Sequence, residues 1–211
     1  MKSLKKIVPV NRAEFVNDVF RIIYERRAIR KFKDLNVERN TIEQIIDAGR
    51  MAPSAINKQP WKFYVLTNKN DIKEFSKAII SGTFKGILRS GFKGILKTTK
   101  DFLHFSHGKD FIKEDDPIFH SAPVVIFITS PKDNEWAELD TGMCAQNMML
   151  AAKSIGLESC PVGLAKFVEH TPLYPRLKIP GTEQVQLAVI IGYGNESPEA
   201  KDRIKNNALF L

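Results

Sequence analysis

Apolar positions along this chain repeat at two periods, and the alternation between them lays out its elements. Phe15, Val19 and Ile23 recur every fourth residue, with Val16, Phe20 and Tyr24 in the adjacent row. That spacing predicts a helix over 12–27 with Asn11 as N-cap, running into Arg26 and Arg27. Ile42, Ile45, Ile46 and Gly49 predict a second helix over 41–51, capped by Asn40 or Thr41 and ended by Pro53. Lys62–Thr67, KFYVLT, has strand composition, and residues 71–80 read as helical. Val124–Thr129, VVIFIT, is an unbroken apolar run between Pro123 and Ser130-Pro131, as in a strand buried on both faces. Residues 137–155 predict a further helix, with Leu139, Met143, Asn147, Leu150 and Ser154 in one line and Gly156 as the residue just past its end. It is apolar around much of its circumference, which suits a central helix or a subunit interface, with its methionines in the core. Gly156–Gly163 reads as a connection and short strand, and Val185–Ile191 as a buried strand leaving through Gly192–Asn195. Helices and strands mix without regular βαβ alternation, so the expected class is α+β.

One stretch fits no simple element. Gly82–Lys97 contains FKGIL twice, and Lys85, Arg89, Lys93 and Lys97 make a cationic stripe beside an apolar one of Phe84, Leu88, Phe92 and Leu96. Interior Gly86, Gly91 and Gly94 would weaken such a helix by roughly 1 kcal/mol each. It reads as a cover helix packed on this protein or a partner subunit, or else as a membrane-surface element. Residues 98–121 look polar and irregular. His104 and His107 have HxxH spacing, but without a cysteine or clear carboxylate partner no metal site is expected.

Composition narrows the partners little. The 211 residues fit one domain, and with 43% hydrophobic and 27% charged residues the chain should fold around an ordinary core. The net charge of +8 favours an anionic partner: nucleic acid, a membrane surface or a phosphate-bearing small molecule. Cys144 and Cys160 show no metal spacing and suit a reduced intracellular protein, one disulfide being the alternative. No signal peptide or membrane-length apolar run is seen, so a cytoplasmic location is expected.

Two stretches carry the candidate chemistry. Arg26, Arg27, Arg30 and Lys31 cluster at a helix end, where cations are favourable for structural reasons alone. They also suit a phosphate, whose oxygens match arginine forks, and Lys201-Asp202-Arg203 could complete such a site. The other stretch is the turn-rich APSAINKQPW, Ala52–Trp61. GxGxxG, GxxxxGK[ST] and GxSxG are absent, and no histidine is placed to activate Cys144. Few acid–base side chains and many guanidinium and amide groups point to chemistry carried by a bound cofactor.

RRAIRKF (26–32), APSAINKQPW (52–61), DTGMCAQNMMLAAKSIG (140–156) with Leu157–Gly163, and QLAVIIGYG (186–194) followed by Lys201-Asp202-Arg203 together resemble the nitroreductase family of flavin enzymes. The match runs from about residue 20 to 205 and is poor over 81–118. The resemblance implies a single FMN-binding domain over 1–211, with a central mixed β-sheet flanked by helices. It further implies an interlocked homodimer with FMN at the interface, and a variable lid or insert at about 81–118. Arg26, Arg27 and Ala28 fall where the family holds the FMN phosphate and ribityl chain, Ala28 lacking the hydroxyl of the family's usual serine. Arg30 falls at the N1/O2 edge of the flavin. Pro53, Ser54, Asn57 and Gln59 fall in a loop contacting the isoalloxazine partly from the other subunit. Pro161, Val162, Gly163 and Leu164 fall where backbone amides approach N5 and O4, and Lys201 and Arg203 at a closing phosphate clamp. The implied activity is ping-pong electron transfer from NAD(P)H to a small-molecule acceptor, a nitroaromatic or quinone, with no protein side chain as nucleophile. A flavin-binding protein without turnover is the alternative. A basic nucleic-acid or membrane-binding module is a further one, disfavoured because no aromatic contacts interleave the basic residues.

Overall fold

VVIFIT is apolar throughout because both of its faces are covered. The computed structural model describes residues 17–89, 115–204 and 207–210. Strands β1 (Lys62–Leu66), β2 (Val124–Pro131), β3 (Glu158–Val162) and β4 (Glu183–Gly192) form one sheet in the order β1-β2-β4-β3. β2 pairs with both β1 and β4, and is buried at every position from Val124 to Ser130. Val124, Ile126 and Ile128 face one apolar cluster, and Val125 and Phe127 the other. The ladders are antiparallel, and parallel pairing enters at the isolated bridge between Ala28 and Ser159 on the β3 side.

Helices α2 (Arg39–Arg50) and α4 (Ala137–Ser154) cover one face of the sheet. Helix α3 (Lys69–Arg89), residues 118–122 and the 3₁₀ turns of Gly163–His170 and Tyr174–Leu177 cover the other. There Phe75 and Phe119 meet Phe127 edge-on at 6.3 and 5.8 Å between ring centroids, the arrangement aromatic quadrupoles favour. Met148 and Met149 of α4 lie in the core, as its pattern predicts. The helix ends with a Schellman motif. Gly156, at φ +82°, lets its own N–H reach Lys153 O at 3.2 Å and that of Leu157 reach Ala152 O at 2.9 Å.

Several boundaries differ from the pattern-based expectation. The first described helix, α1, spans Asp18–Glu25 and ends before 27; Asn17 caps it, its Oδ1 accepting from Val19 and Phe20 N–H at 2.8 and 3.3 Å, while residues 12–16 and the expected cap Asn11 lie outside the described residues. None of its residues is buried; Val19, Phe20, Ile23 and Tyr24 are all exposed. α2 begins at Arg39, after Glu38, so neither Asn40 nor Thr41 is its cap. α3 extends well past 71–80, and Asn68 caps it by accepting from Asn70 and Asp71 N–H. It takes in the first FKGIL, while the second, with His104 and His107, lies outside the described residues. Residues 115–121 are not simply a polar loop. Ile118 and Phe119 are buried, and the buried Asp116 carboxylate accepts from Phe119 and Ser121 N–H at 2.9 Å each.

One buried acid crosses three strands. Glu183 on β4 accepts from Thr129 Oγ1 at 2.7 Å on β2 and Tyr64 OH at 3.2 Å on β1, and pairs with Lys62 Nζ. Burial pushes its carboxyl up, but the bonds from Lys62, Thr129 and Tyr64 together hold it below the ordinary glutamate range. A carboxyl lowered in the folded state stabilises the fold above its unfolded pKa, and that stabilisation is lost as pH falls through the folded value. Glu183→Gln is therefore expected to cost about 1–3 kcal/mol at pH 7. In urea melts against pH, the gap between variant and wild type should narrow below about pH 4; a pH-independent gap would show that the charge plays no part.

Candidate functional site

The cationic stretch leaves α1 as an extended segment laid along the far edge of the sheet. Ile29 N–H reaches Ser159 O at 3.1 Å, Lys33 N–H reaches Tyr193 O at 2.8 Å, and Asn195 N–H returns to Lys31 O at 2.8 Å. Phe32 bridges Gly194, and Arg30 N–H donates to Glu196 Oε1 at 2.6 Å. The segment lies this close because β4 ends in Gly192: a Cβ there would sit 2.6 Å from Pro123 Cδ and 2.9 Å from Phe32 Cδ1. Residues 26–33 are thus pinned between β3 and the turn that follows β4.

The arginines divide their roles. Arg27 turns back on α1 and donates through Nη1 to Tyr24 O at 2.6 Å and Arg26 O at 2.8 Å, the structural use of a cation at a helix end. Arg26 is half-buried, and its Nε is buried with no hydrogen-bond partner. Burial draws its guanidinium pKa down, and the positive charges of Arg27 and Arg203 act the same way. Arg203, far away in sequence, is therefore near Arg26, as expected for a site assembled from both ends of the chain; its Nη1 donates to Lys201 O at 2.9 Å. Arg27 Nε, Glu158 Oε2 and Ser159 Oγ are likewise buried without hydrogen-bond partners. Native folds rarely leave such atoms unpaired; the cluster combines two arginine donors and a hydroxyl with one carboxylate oxygen. Ala28 has no side-chain hydroxyl, but its bridge partner Ser159 has one, buried and unpartnered.

Pro161 and Val162 complete β3, opposite Val189 and Ala188, and Gly163 and Leu164 open the 3₁₀ turn that follows. Gly163 is exposed, and a Cβ there would meet nothing within 4 Å. This leaves backbone that a flat ligand can approach. Cys160, beside them, points into the core; burial pushes its thiol up. Cys144 lies in the cluster on the opposite face and is pushed up to about 12 by burial. Both thiols are free.

Pro53, Ser54, Asn57 and Gln59 occupy a separate loop between α2 and β1. The loop turns through the left-handed region: Ile56, Asn57 and Gln59 have φ of 45°, 56° and 46° without a glycine among them. Ser54 Oγ accepts from Gln59 N–H at 3.0 Å, and Gln59 Nε2 donates to Asn57 Oδ1 at 3.0 Å. Asp140, which the sequence reading does not single out, reaches this loop from α4 and accepts from Ala55 N–H at 3.2 and 3.3 Å. The signal that could have found it is an acid on an otherwise core-facing row of a buried helix. A cleft of about 1070 Å³ runs from Gln59 between α2 and the open edge of β1, away from Arg26. A smaller one, about 570 Å³, adjoins Arg27, Glu158 and Glu196. The smaller cleft sets Glu25, Glu158, Glu196 and Glu199 against Arg27 and Lys153, and Arg26 lines neither cleft. Among the described residues, no group of three or more histidine, cysteine or acidic side chains is placed to hold a metal. No helix among them is long and apolar enough to cross a membrane.

Comparison with known proteins agrees with this arrangement. The Nitroreductase family model matches residues 23–193. The chain is 28% identical over 205 residues to the chloronitrobenzene nitroreductase of Comamonas testosteroni, covering 87% of this chain and 88% of that protein. It is 27% identical over 210 residues to the 4-nitrobenzoate reductase of Pseudomonas putida, covering 88% and 89%. Its fold superposes with a TM-score of 0.73 on a nitroreductase with bound FMN from Desulfitobacterium hafniense DCB-2, at 22% identity, covering 92% of this chain and 98% of that one. A nitroreductase with bound FMN from Bacteroides fragilis NCTC 9343 gives a TM-score of 0.71 at 22% identity. The α+β fold agrees with the family model's match over most of the length: this chain belongs to the nitroreductase family.

Proposed function

We propose that this protein binds FMN and acts as a homodimeric flavin oxidoreductase, passing electrons from NAD(P)H to a nitroaromatic, quinone or similar small acceptor by a ping-pong mechanism. The observation that carries the reading is the buried, unpartnered Nε of Arg26 beside Arg27 and Arg203. Burial and the charges of Arg27 and Arg203 disfavour the Arg26 cation, Glu158 offsets them in part, and a dianionic phosphate would add the remaining counter-charge. The relatives' names and the FMN bound in related folds support the same reading.

Bound FMN would supply the hydride and electron chemistry. The chain's own part is binding and electrostatics. Arg26, Lys201 and Arg203 hold the phosphate. Arg30, tied through its N–H to Glu196, brings a fixed positive charge to the N1/O2 edge, where reduction adds negative charge. Backbone of Pro161–Leu164 lines the N5 and O4 side, with Gly163 leaving the approach open. The Pro53–Gln59 loop reaches the ring from the other subunit.

The homodimer is supported by α1. It is strongly amphipathic, and its apolar side chains Val19, Phe20, Ile23 and Tyr24 are exposed among the described residues. Met51, Ile56, Trp136 and Leu139 are exposed as well. A second copy is the occupant this reading assigns to them. The lid proposed for 81–118 and the cationic stripe of 82–97 lie largely outside the described residues.

Four measurements test the reading. Purified protein should carry FMN, and anaerobic NADH or NADPH should bleach its yellow colour; bound flavin that neither nicotinamide bleaches would make it a flavin store. Arg203→Ala should weaken FMN binding about tenfold or more in a fluorescence titration, since a charge-assisted hydrogen bond is worth ~1.5–3 kcal/mol; unchanged affinity would remove Arg203 from the clamp. Arg30→Ala should lower the flavin two-electron potential by roughly 20–40 mV, equivalent to about 1–2 kcal/mol. Phe20→Glu should convert the dimer to monomer in analytical ultracentrifugation, and a variant that stays dimeric would move the interface elsewhere.

A further inference from the structure

The loop that the resemblance assigns to the isoalloxazine holds three non-glycine residues in the left-handed region, one of them the β-branched Ile56. Such a backbone persists where its surroundings over-determine it. Most of its bonds are internal: Asn57 N–H to Ser54 O at 2.9 Å, Lys58 N–H to Ala55 O at 3.0 Å, and the Ser54, Asn57 and Gln59 side-chain bonds already described. The bond to a rigid element is the one from Ala55 N–H to Asp140.

Asp140 is an expensive residue for a structural contact. It is 1% exposed, and both of its oxygens turn to the same N–H. Its neighbour Thr141 is fully buried with an unpartnered Oγ1. A buried carboxylate with so little compensation is disfavoured against an apolar side chain of similar size unless the charge serves a purpose. The first turn of α4 softens the cost through the helix dipole. Two turns on, on the same face of α4, Asn147 Nδ2 donates to Ala48 O at 3.3 Å. α4, itself anchored in the core by Cys144 and Met148, thus holds the last turn of α2 at Ala48 and the loop that follows it at Ala55.

We propose that Asp140 is a positioning residue: by holding Ala55 N–H it fixes the Pro53–Gln59 loop in the shape that receives the flavin. The inference rests on the FMN reading given above. The charge matters because a charge-assisted bond resists the loop's tendency to relax to ordinary backbone angles.

The bond can be removed from either side. Asp140→Ala deletes the acceptor. Ala55→Pro deletes the donor and leaves the residues of α4 unchanged, its Cδ taking the place of the N–H that faces Asp140. It suits a position that opens a 3₁₀ turn, and Ser54 before it is extended at φ −144° and ψ 153°, as a residue preceding proline requires. In fluorescence titrations with FMN, each variant should bind about tenfold more weakly than wild type. The double variant should be no weaker than either single, because both remove one interaction. Asp140→Asn keeps an acceptor oxygen but loses the charge, and its affinity should fall between those of wild type and Asp140→Ala. Amide exchange at residues 56–59 should quicken in Asp140→Ala and Ala55→Pro while β2 and β4 stay protected. Full FMN affinity in Ala55→Pro, or effects of the two singles that multiply, would overturn the proposal. If Asp140→Ala fails to fold, Ala55→Pro decides alone. Wild-type protein that takes up no FMN would overturn the flavin reading and this inference with it. FMN binding weakened by Arg203→Ala but not by Asp140→Ala or Ala55→Pro would overturn this inference alone.

Discussion

The arrangement of this site depends on one short run of backbone hydrogen bonds, those that pin residues 28–33 to Ser159 on one side and to Tyr193–Glu196 on the other. Without them the arginines after α1 would be exposed cations on a flexible connection, of little use for orienting a ligand. With them, Arg26 and Arg30 are held at the edge of a sheet whose centre, β2 and β4, is buried on both faces. The packing that permits the run is local. Gly192 leaves room for Phe32 and Pro123, and any larger residue there would push the segment away from β4. Core packing and site geometry are in this sense one constraint: the sheet sets the register, and the register places the charge.

The electrostatics follow from that placement. A lone arginine at a helix end finds carbonyls to pair with, and Arg27 does so. Arg26, one residue earlier, keeps a buried Nε unpaired, with Arg203 brought near from the other end of the chain. Like charges gathered in a partly dry site raise its free energy, and an anion lowers it again. In the proposed site this placement is preorganisation in the electrostatic sense.

Much of this was legible in the sequence, and what was not had physical reasons. VVIFIT announced β2 because burial on both faces leaves no polar position to blur the pattern. α4 was legible through its length and its Gly156 stop. The paired cationic ends were legible as chemistry but not as geometry, since only the folded chain shows that Arg203 comes near Arg26. α1 shows the limit of periodicity: the spacing of Val19 and Ile23 states that a face must be covered, not by what, and no residue of the helix is buried in its own chain. Ile118 and Phe119 were hidden among polar neighbours because Asp116 satisfies the turn that buries them. The left-handed turn at Ile56–Gln59 had no glycine to advertise it, and Asp140 read as an ordinary acid at a helix start.

The position of α1 links association to ligand binding. It is eight residues long, too short to be stable on propensity alone, and its apolar face is uncovered. Its last residue, Glu25, is followed directly by Arg26, and Arg27 clasps its final carbonyls. Whatever covers Phe20 and Ile23 therefore also orders the backbone that carries the cation cluster. In the proposed dimer the partner supplies that cover, so packing energy at the interface is spent partly on fixing Arg26. By linkage, an anion that binds and orders Arg26 must strengthen association by the same free energy. The cations and the strained loop hang on different elements, one on the β3 edge and the other on α2 and α4. The interface is where a site needing both would be completed, and the free energy that holds two chains together is then part of what holds the ligand.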